Sequence, residues 1–546
     1  MKNKEILFIG ILWLIATFFN ITKAVHIDDT AYIEEAVHIV GDPLHPMSGL
    51  VNWADTSELI RARHHPLLIP YLYALEIRLF GVSEFGLHIL MSFFTLGTIF
   101  FFYILAKEFV HRYRYIFTIM FILGPAFLPG QNLMLDVPNV FFWLGFFWLI
   151  LVPHTIITLN KKYISAALFI GLAIMTKYSG FILMLILFLD IFFRNKWKYF
   201  WVLIIPLVMV AGWSLFNYWE YGGIHILESQ GTPMSIQRIR EWSILWVVTL
   251  GSVSPFTLFL IPVCFKNKKV LLILVGSIIL AVLYSRLNWG FGPESEGRYI
   301  FRLVFFMNGI FLLGCVIYYI FVYFRNVYFK IHQDKNVSLL LIIIWIGAGS
   351  VVMSIFVPTM AVRHVVIIIP AILLFLGKIL YEKLSMNGLV LACFLSVFLG
   401  AALAVSDYET ANVYRKYAPI MKKMVISLKD KNGDRGGDVY FAGHWGWQWY
   451  AKKEGLLQYD IYNTQFNRGD ILVMPMTEQQ YIPPYHAELL HQLDTIFVPG
   501  SAFTFMRTMS DPLVAPRGYY ATGDRFLPWI ISTSPLEGFR IYEVLD

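Results

Sequence analysis

Long uncharged apolar runs dominate the chain and recur from residue 5 to about residue 405. Segments 5–24, 87–106, 163–176, 199–219, 269–284 and 338–357 are nearly free of charge. Most have the roughly 17–25 residues that cross about 30 Å of hydrocarbon, and their length does not suit the alternating strands of a barrel. The pattern predicts about 13 helical spans, at 5–24, 87–106, 115–130, 137–153, 163–176, 178–193, 199–219, 244–264, 270–286, 301–323, 338–357, 364–381 and 388–405. The fold class expected is a multi-pass α-helical membrane protein.

Basic residues order these spans across the bilayer, because cytoplasmic loops carry the excess of Lys and Arg. Alternate loops hold Lys2 and Lys4, Lys107 with Arg112 and Arg114, Lys161 and Lys162, and Arg194 with Lys196 and Lys198. The series continues with Lys266, Lys268 and Lys269, then Arg325, Lys330 and Lys335, then Lys383. This places the N-terminus in the cytoplasm of a plasma or inner membrane. An uncleaved first span is preferred to a signal peptide, since the run after Lys4 exceeds the usual 7–15-residue signal core.

Three regions then face outward. They are a long first loop at 25–86, a second loop at about 220–243, and the tail 406–546. The tail has no spanning run, and its β-like stretches DVYFAG, DILVMP, DTIFVPG and FRIYEVL alternate with turn formers. The division expected is a membrane domain over 1–405, with its external loop, and an extracytoplasmic α/β domain over 406–546 behind a linker helix near 408–429.

Composition agrees with a membrane protein: 58% of residues are hydrophobic and only 14% charged, against about 25% charged in soluble domains. The net charge of +7 does not indicate nucleic acid, because the cations lie in short clusters between spans. Cys264, Cys315 and Cys393 sit in or beside apolar runs, with no disulfide framework or zinc spacing.

Polar side chains at membrane depth are functional candidates, but the span interiors are nearly clean. The unusual groups fall at predicted outer ends: Asp28, Asp29, His64, His65, Asp136, Lys177, Arg298 and Arg363. A transporter or flippase places such groups near the midplane on broken helices; an enzyme acting on a lipid headgroup places them at the interface. In HIDDTAYIEEA, a helix starting at Asp28 or Asp29 puts Asp28, Tyr32 and Glu35 on one face, while one Asp can serve simply as an N-cap. The segment from Pro66, with Leu67, Tyr71, Ala74 and Leu75 as its apolar stripe, suits a helix lying in the interface.

These residues resemble the motifs of the GT-C membrane glycosyltransferases, in the branch of protein O-mannosyltransferases and lipid A aminoarabinose transferases. Asp28-Asp29-Thr30-Ala31-Tyr32 is similar to the DE-x-x-Y opening of the first external loop, with Asp in second place. His64-His65-Pro66-Leu67 resembles the segment that follows, and either histidine can hold the family position. Asp136 in MLDVP, Met175-Thr176-Lys177, and Arg363 to Pro370 with His364 for the usual Tyr complete the series. The motif resemblance is strong from the N-terminus to the neighbourhood of Gly180 and topological beyond it.

The resemblance implies inverting transfer of a sugar from a polyprenyl-phosphate carrier to a lipid, glycan or protein acceptor at the outer face. It implies Asp28 as base, with Asp29 and Tyr32 shaping its site. Lys177, His64 or His65, and Arg298 or Arg363 would hold the phosphate, and Asp136 either binds acceptor or orients a cation. An ordinary carboxylate is already ionised and fit for that role, and a phosphate leaving group needs cationic donors rather than a general acid. No cofactor or metal is expected. Two alternatives stay open: a transporter or flippase without chemistry, and a metal-dependent GT-C enzyme with a pyrophosphate-linked donor.

Overall fold

The computed structural model describes residues 2–53, 55–153, 157–228, 235–286, 296–327, 333–355, 357, 359–432, 437–478, 480–509, 518–521 and 527–545. The membrane part is a bundle of helices α1 (Asn3–Phe18), α2 (Asp29–Gly41), α3 (Leu68–Phe80), α4 (Glu84–Phe109), α5 (Arg114–Ile122), α6 (Asp136–Leu151), α7 (Leu159–Thr176), α8 (Phe181–Phe193) and α9 (Ile204–Tyr221). It continues through α10 (His225–Glu228), α11 (Ile236–Ser252), α12 (Ile261–Lys266), α13 (Lys268–Arg286), α14 (Glu296–Val327), α15 (Asp334–Ile355), α16 (Val362–Val365), α17 (Ile369–Ile379) and α18 (Met386–Asn432).

Local chemistry sets these boundaries. Ser83 caps α4 by accepting from the Gly86 N–H at 3.2 Å. Gly222, at φ +73°, closes α9 in the left-handed region. Pro255 and Pro262 each lack an N–H, and the chain between α11 and α12 bends by 73°.

Helix lies at each of the 13 expected span positions, but the count of thirteen is not confirmed. Among the described residues, five helices are long and apolar enough to cross: Glu84–Phe109, Trp197–Tyr221, Tyr299–Val327, Lys335–Ile355 and Met386–Ser427. The bent pair Ile236–Ser252 and Pro255–Lys266 makes up to six. At about 1.5 Å per residue, α5, α8 and α17 fall short of the hydrocarbon thickness. The expected span 115–130 stops at Ile122, because Gly124-Pro125 and Pro129-Gly130 break the helix. The apolar run is present; the unbroken helix is not.

The separate linker helix is also corrected. Helix α18 is continuous over 47 residues, about 70 Å long, so the last expected span and the linker are one rod. Its first half is apolar and its second half is rich in Lys and Arg.

The C-terminal region builds a five-stranded sheet from β3 (Val439–Phe441), β4 (Leu457–Gln458), β5 (Ile471–Pro475), β6 (Leu490–Val498) and β9 (Glu537–Val544), in the order β4-β3-β5-β9-β6. A hairpin β1 (Leu50–Asn52)/β2 (Ser57–Leu59) sits in the first loop, and β7 (Met506–Arg507) pairs with β8 (Ile530–Ile531). β3 runs parallel to β4 and β5, while β9 is antiparallel to β5 and β6. The four β-like stretches of the tail thus become β3, β5, β6 and β9.

Helix α19 (Trp445–Lys453) makes the crossover from β3 to β4 and packs against both α18 and α2. Trp447 lies 5.0 Å from the Phe539 ring of β9, and Tyr417 of α18 stacks on Phe539 at 6.0 Å. This aromatic cluster joins the sheet to the rod, since offset and edge contacts add to the area such rings bury.

A second joint is polar. Lys23 and Asp407 form a fully buried ion pair. The same carboxylate accepts from Thr508 Oγ1 at 2.6 Å and the Tyr520 hydroxyl at 2.7 Å. Lys23 also donates to the Pro129 carbonyl at 3.1 Å and to Asn132. Buried charges persist where partners satisfy them, and here four distant segments meet on one pair beside the start of α2.

Candidate active site

The chain turns into α2 through Ile27, which has φ +49°. This is an uncommon conformation for a β-branched residue. Asp28 follows at the N-cap position but makes no capping bond, so its carboxylate is free to point elsewhere. Oδ2 meets the Arg363 Nη1 at 2.5 Å, with both side chains 19% exposed. Burial raises the Asp28 pKa, and the Arg363 and Arg63 guanidiniums outweigh that and hold it below the usual carboxylate range. Asp28 is thus an ionised carboxylate in a cationic surrounding.

Its neighbour behaves oppositely. Asp29 is fully buried, Oδ2 accepts from the His26 N–H at 3.1 Å, and Oδ1 has no hydrogen-bond partner among the described residues. Burial pushes this carboxyl well above its ordinary range. The two adjacent aspartates therefore do not act as a pair.

Asp28, Tyr32 and Glu35 share the face expected of i, i+4, i+7 spacing, and Arg63 covers it. The Arg63 guanidinium lies 5.4 Å from the Tyr32 ring and 5.3 Å from the Trp53 ring. Its Nε stands 2.6 Å from Glu35 Oε1. Despite that partner, burial dominates and lifts the Glu35 pKa to about 7.

His64 is exposed and His65 half-buried. Burial, Lys177, Arg63 and Arg363 together push the His65 pKa well below its normal value, which leaves the imidazole neutral. Lys177, at the C-terminus of α7, pairs with Asp136 at the start of α6 at 2.7 Å. Lys177 is close enough to Asp28 to contribute to its low pKa. The Arg363 Nη1 also contacts the Met134 Sδ at 3.3 Å, and its buried Nε has no hydrogen-bond partner among the described residues. α16 itself is pinned by the Val362 N–H, which donates to the Tyr519 carbonyl at 3.0 Å.

Cavities meet at Arg363. A narrow one of about 20 Å³ is lined by Asp136, Lys177, Arg363 and His364. A cleft of about 380 Å³ is lined by Asp28 and Arg363 together with Trp53, Asp55, His444, Trp445 and Glu478. The structure thus gathers Asp28, Tyr32, His65, Lys177 and Arg363, with Asp136 joined through Lys177. Asp29 stands behind the site. The Arg298 side chain lies outside the described residues.

Residues 64–219 match the family model described as dolichyl-phosphate-mannose-protein mannosyltransferase. The chain resembles the GT-C membrane glycosyltransferases of the O-mannosyltransferase type. The match includes His64, His65, Asp136 and Lys177 and leaves Asp28 and Arg363 outside. No curated protein matches the chain.

Among solved structures, the Archaeoglobus fulgidus oligosaccharyltransferase tethered to an acceptor peptide is 11% identical, with a TM-score of 0.47 over 84% of this chain. This chain spans 64% of that protein's length. The ArnT structure from Cupriavidus metallidurans, bound to undecaprenyl phosphate, is 13% identical with a TM-score of 0.42, covering 90% of this chain and 96% of that one. The mycobacterial arabinofuranosyltransferase AftD is 10% identical with a TM-score of 0.38, over all of this chain and 40% of its own.

Sequence reasoning passed over Arg63, His444 and Trp445. Arg63 had a signal, since it immediately precedes His64 in RARHHP, but the adjacent histidines drew the weight. His444 and Trp445 follow a β-like stretch in the C-terminal tail, at the far end of the chain from Asp28, and nothing local connects them to it.

Proposed function

We propose that the chain is an inverting glycosyltransferase that moves a sugar from a polyprenyl-phosphate carrier to a hydroxyl acceptor at the outer face of the membrane. The observation that carries this reading is the ionised, cleft-facing carboxylate of Asp28, set among Arg363, Arg63 and Lys177. Asp28 takes the acceptor hydroxyl proton, and the acceptor oxygen attacks the anomeric carbon. The bond from that carbon to the phosphate oxygen breaks, and its electron pair leaves with the polyprenyl phosphate.

Arg363 has two uses in this scheme. Nη1 holds Asp28 in place, and the guanidinium lines both cavities, where its charge can stabilise a phosphate oxygen. Fixed donors aimed at developing charge, removed from bulk water, lower such barriers strongly. A second carboxyl acting as acid, as glycosidases need, is not required, and Asp29 is turned away from the cleft.

The reading uses no divalent metal. A monophosphate carries few charges, and fixed cations such as Lys177 and Arg363 neutralise what develops as the bond breaks. The N-terminus is read as cytoplasmic and the sheet domain as extracytoplasmic, from the alternation of basic loops.

The test is transfer from a synthetic short-chain polyprenyl-phosphate sugar by the purified full-length protein, with EDTA and with restored Mg²⁺ or Mn²⁺. Turnover in EDTA is expected. Activity that vanishes with chelator and returns with metal overturns the monophosphate assignment in favour of a metal-dependent, pyrophosphate-linked donor.

A further inference from the structure

The part of the larger cleft lined by Trp53, Asp55, His444, Trp445 and Glu478 has its own chemistry, which donor handling does not use. It is built where parallel strands β3 and β5 end. In open α/β sheets, ligands bind outside the carboxyl ends of parallel strands. β3 ends at Phe441, and Gly443-His444-Trp445 follows it to the cleft; β5 ends at Pro475, and Glu478 follows.

The backbone there is held in unusual shapes. Four non-glycine residues among those described have positive φ, and three of them line this cleft: Ile27 at +49°, Asp55 at +72° and Trp445 at +61°. Strained residues persist only where their surroundings fix them, and they collect at binding sites. Trp445 is fixed through its carbonyl, which accepts from the Thr30 hydroxyl at 2.6 Å, next in sequence to Asp29. Gly443 stands at φ +103°, and a Cβ on Gly446 would lie 2.3 Å from the Val25 carbonyl. The segment is pressed against the strand of chain that carries Asp28.

The side chains are two indoles and three hydrogen-bonding groups. His444 has 6% of its side chain exposed, and Nδ1 is engaged with Gln448 Oε1 at 3.2 Å. Nε2 makes no hydrogen bond among the described residues, the Asp55 carboxylate standing at 3.7 Å. That proximity keeps the Asp55 pKa below the usual range, so Asp55 carries charge. Trp53 lies 5.9 Å from the His444 ring.

The indoles of Trp53, one side of which Arg63 covers at 5.3 Å, and of Trp445, beside the Asp55 carboxylate, match the alternating C–H and O–H faces of a sugar ring. The Asp55 carboxylate repels phosphate, sulfate or uronate at this end of the cleft. The cleft is therefore polarised, cationic at Arg363 and anionic at Asp55, and its volume falls within the roughly 300–1,000 Å³ of small-molecule sites.

From this arrangement we infer that the wall formed by Trp53, Asp55, His444, Trp445 and Glu478 is the acceptor subsite, and that it binds an uncharged carbohydrate, free or on a lipid. This rests on the proposed sugar transfer and names its acceptor class. Bound there, the acceptor sugar presents a hydroxyl to Asp28 in the same cleft. A phosphorylated acceptor sugar would meet the Asp55 carboxylate on this wall.

The experiment uses the full-length protein in nanodiscs, saturated with undecaprenyl phosphate so that the cations are occupied. Saturation-transfer NMR then reads binding of mannobiose and galactobiose, mannose 6-phosphate, and a Ser/Thr-rich peptide. At least one neutral disaccharide is expected to bind, with neither mannose 6-phosphate nor the peptide competing. Asp55→Asn and His444→Gln, both near-isosteric, are expected to weaken that binding about tenfold, the cost of one or two charge-assisted hydrogen bonds. Asp55→Asn should also narrow the preference for neutral sugar over mannose 6-phosphate, which a merely misfolded variant would not do.

Undecaprenyl phosphate binding, measured on the same samples, reports separately on the donor end. If it fails in the unsubstituted protein, the donor reading falls, and the saccharide arm run without it still decides the acceptor wall. Preferential peptide or sugar-phosphate binding, absence of any disaccharide binding, or disaccharide binding unchanged in both variants overturns the assignment. A lipid-linked neutral disaccharide that binds much more tightly than the free one would make the acceptor a glycolipid; equal binding would make it a soluble or polymeric glycan.

Discussion

Asp28 and Arg363 lie 335 residues apart in sequence and meet at 2.5 Å between carboxylate and guanidinium. The contact crosses the bundle from the N-terminus of α2 to the short helix α16. It makes the base and the chief anion donor of the proposed reaction a single unit. Asp28→Asn keeps the shape and removes the base. Transfer should fall by at least about two orders of magnitude, the scale of general base catalysis, with undecaprenyl phosphate binding retained. Near-normal turnover in this variant would make Asp28 only an anchor for Arg363.

Arg363→Lys tests the other half. Lysine keeps the charge but offers no fixed fork, so it can hold Asp28 or a phosphate but not both. A fall in kcat of about 10²–10³ is expected, comparable to loss of one preorganised donor, with a smaller change in KM. An Arg363→Lys enzyme with unaltered kcat would remove Arg363 from the reaction.

The buried Glu35 carboxyl gives a pH signature. Its folded pKa of about 7 lies above the ordinary 4.5, so between these values the folded state holds a proton that the unfolded chain has released. Stability from this group is therefore full below pH 4.5, declines as pH rises to 7, and stays reduced above it. Glu35→Gln should flatten this part of a plot of Tm against pH, by an amount on the order of 3 kcal/mol over the window. An unchanged slope would mean that Arg63 keeps Glu35 ionised throughout.

Such groups also show what a sequence can convey. Asp28, Tyr32 and Glu35 were readable as one face because helix periodicity is local, and His65, Asp136 and Lys177 because short motifs carry them. Helix positions were readable from apolar runs, but span number was not, since Gly124-Pro125 and Pro255 interrupt helix inside apolar sequence. The roles of Lys23 and Asp407 were hidden, because each looks like a stray charge at the end of a span until the fold pairs them. His444 and Trp445 were hidden for the same reason. Their meaning comes from a cleft that the opposite end of the chain helps to line.

The continuity of α18 changes how orientation is tested. A reporter joined after Ser406 would cut a 47-residue helix in its middle, so the outward fusion belongs after Asn432. A fusion after Lys269 should report the cytoplasm and one after Asn432 the outside. Both on one side would overturn the proposed orientation and separate the sheet domain from the face that receives the donor.

Lys177 and Asp136 pose the sharpest choice between structure and chemistry. They pair at 2.7 Å with little exposure, so Lys177→Ala alone leaves a carboxylate without its counter-charge and destabilises the fold whatever its role. A double-mutant cycle resolves this. Asp136→Asn combined with Lys177→Ala removes both charges and should restore most of the Tm lost by Lys177→Ala. If Lys177 only neutralises Asp136, donor use should recover with stability. If Lys177 also meets the leaving phosphate, as its influence on Asp28 and His65 suggests, the stable double variant should still use the polyprenyl-phosphate donor about tenfold or more worse than the unsubstituted protein. His65 supplies an independent reading of the same site. Phosphate added among these cations offsets part of what depresses the His65 pKa, burial remaining the largest cause, so the imidazole adds a proton-linked component to undecaprenyl phosphate binding as pH falls. His65→Gln should remove that component, and a pH profile identical in the two proteins would place the phosphate elsewhere.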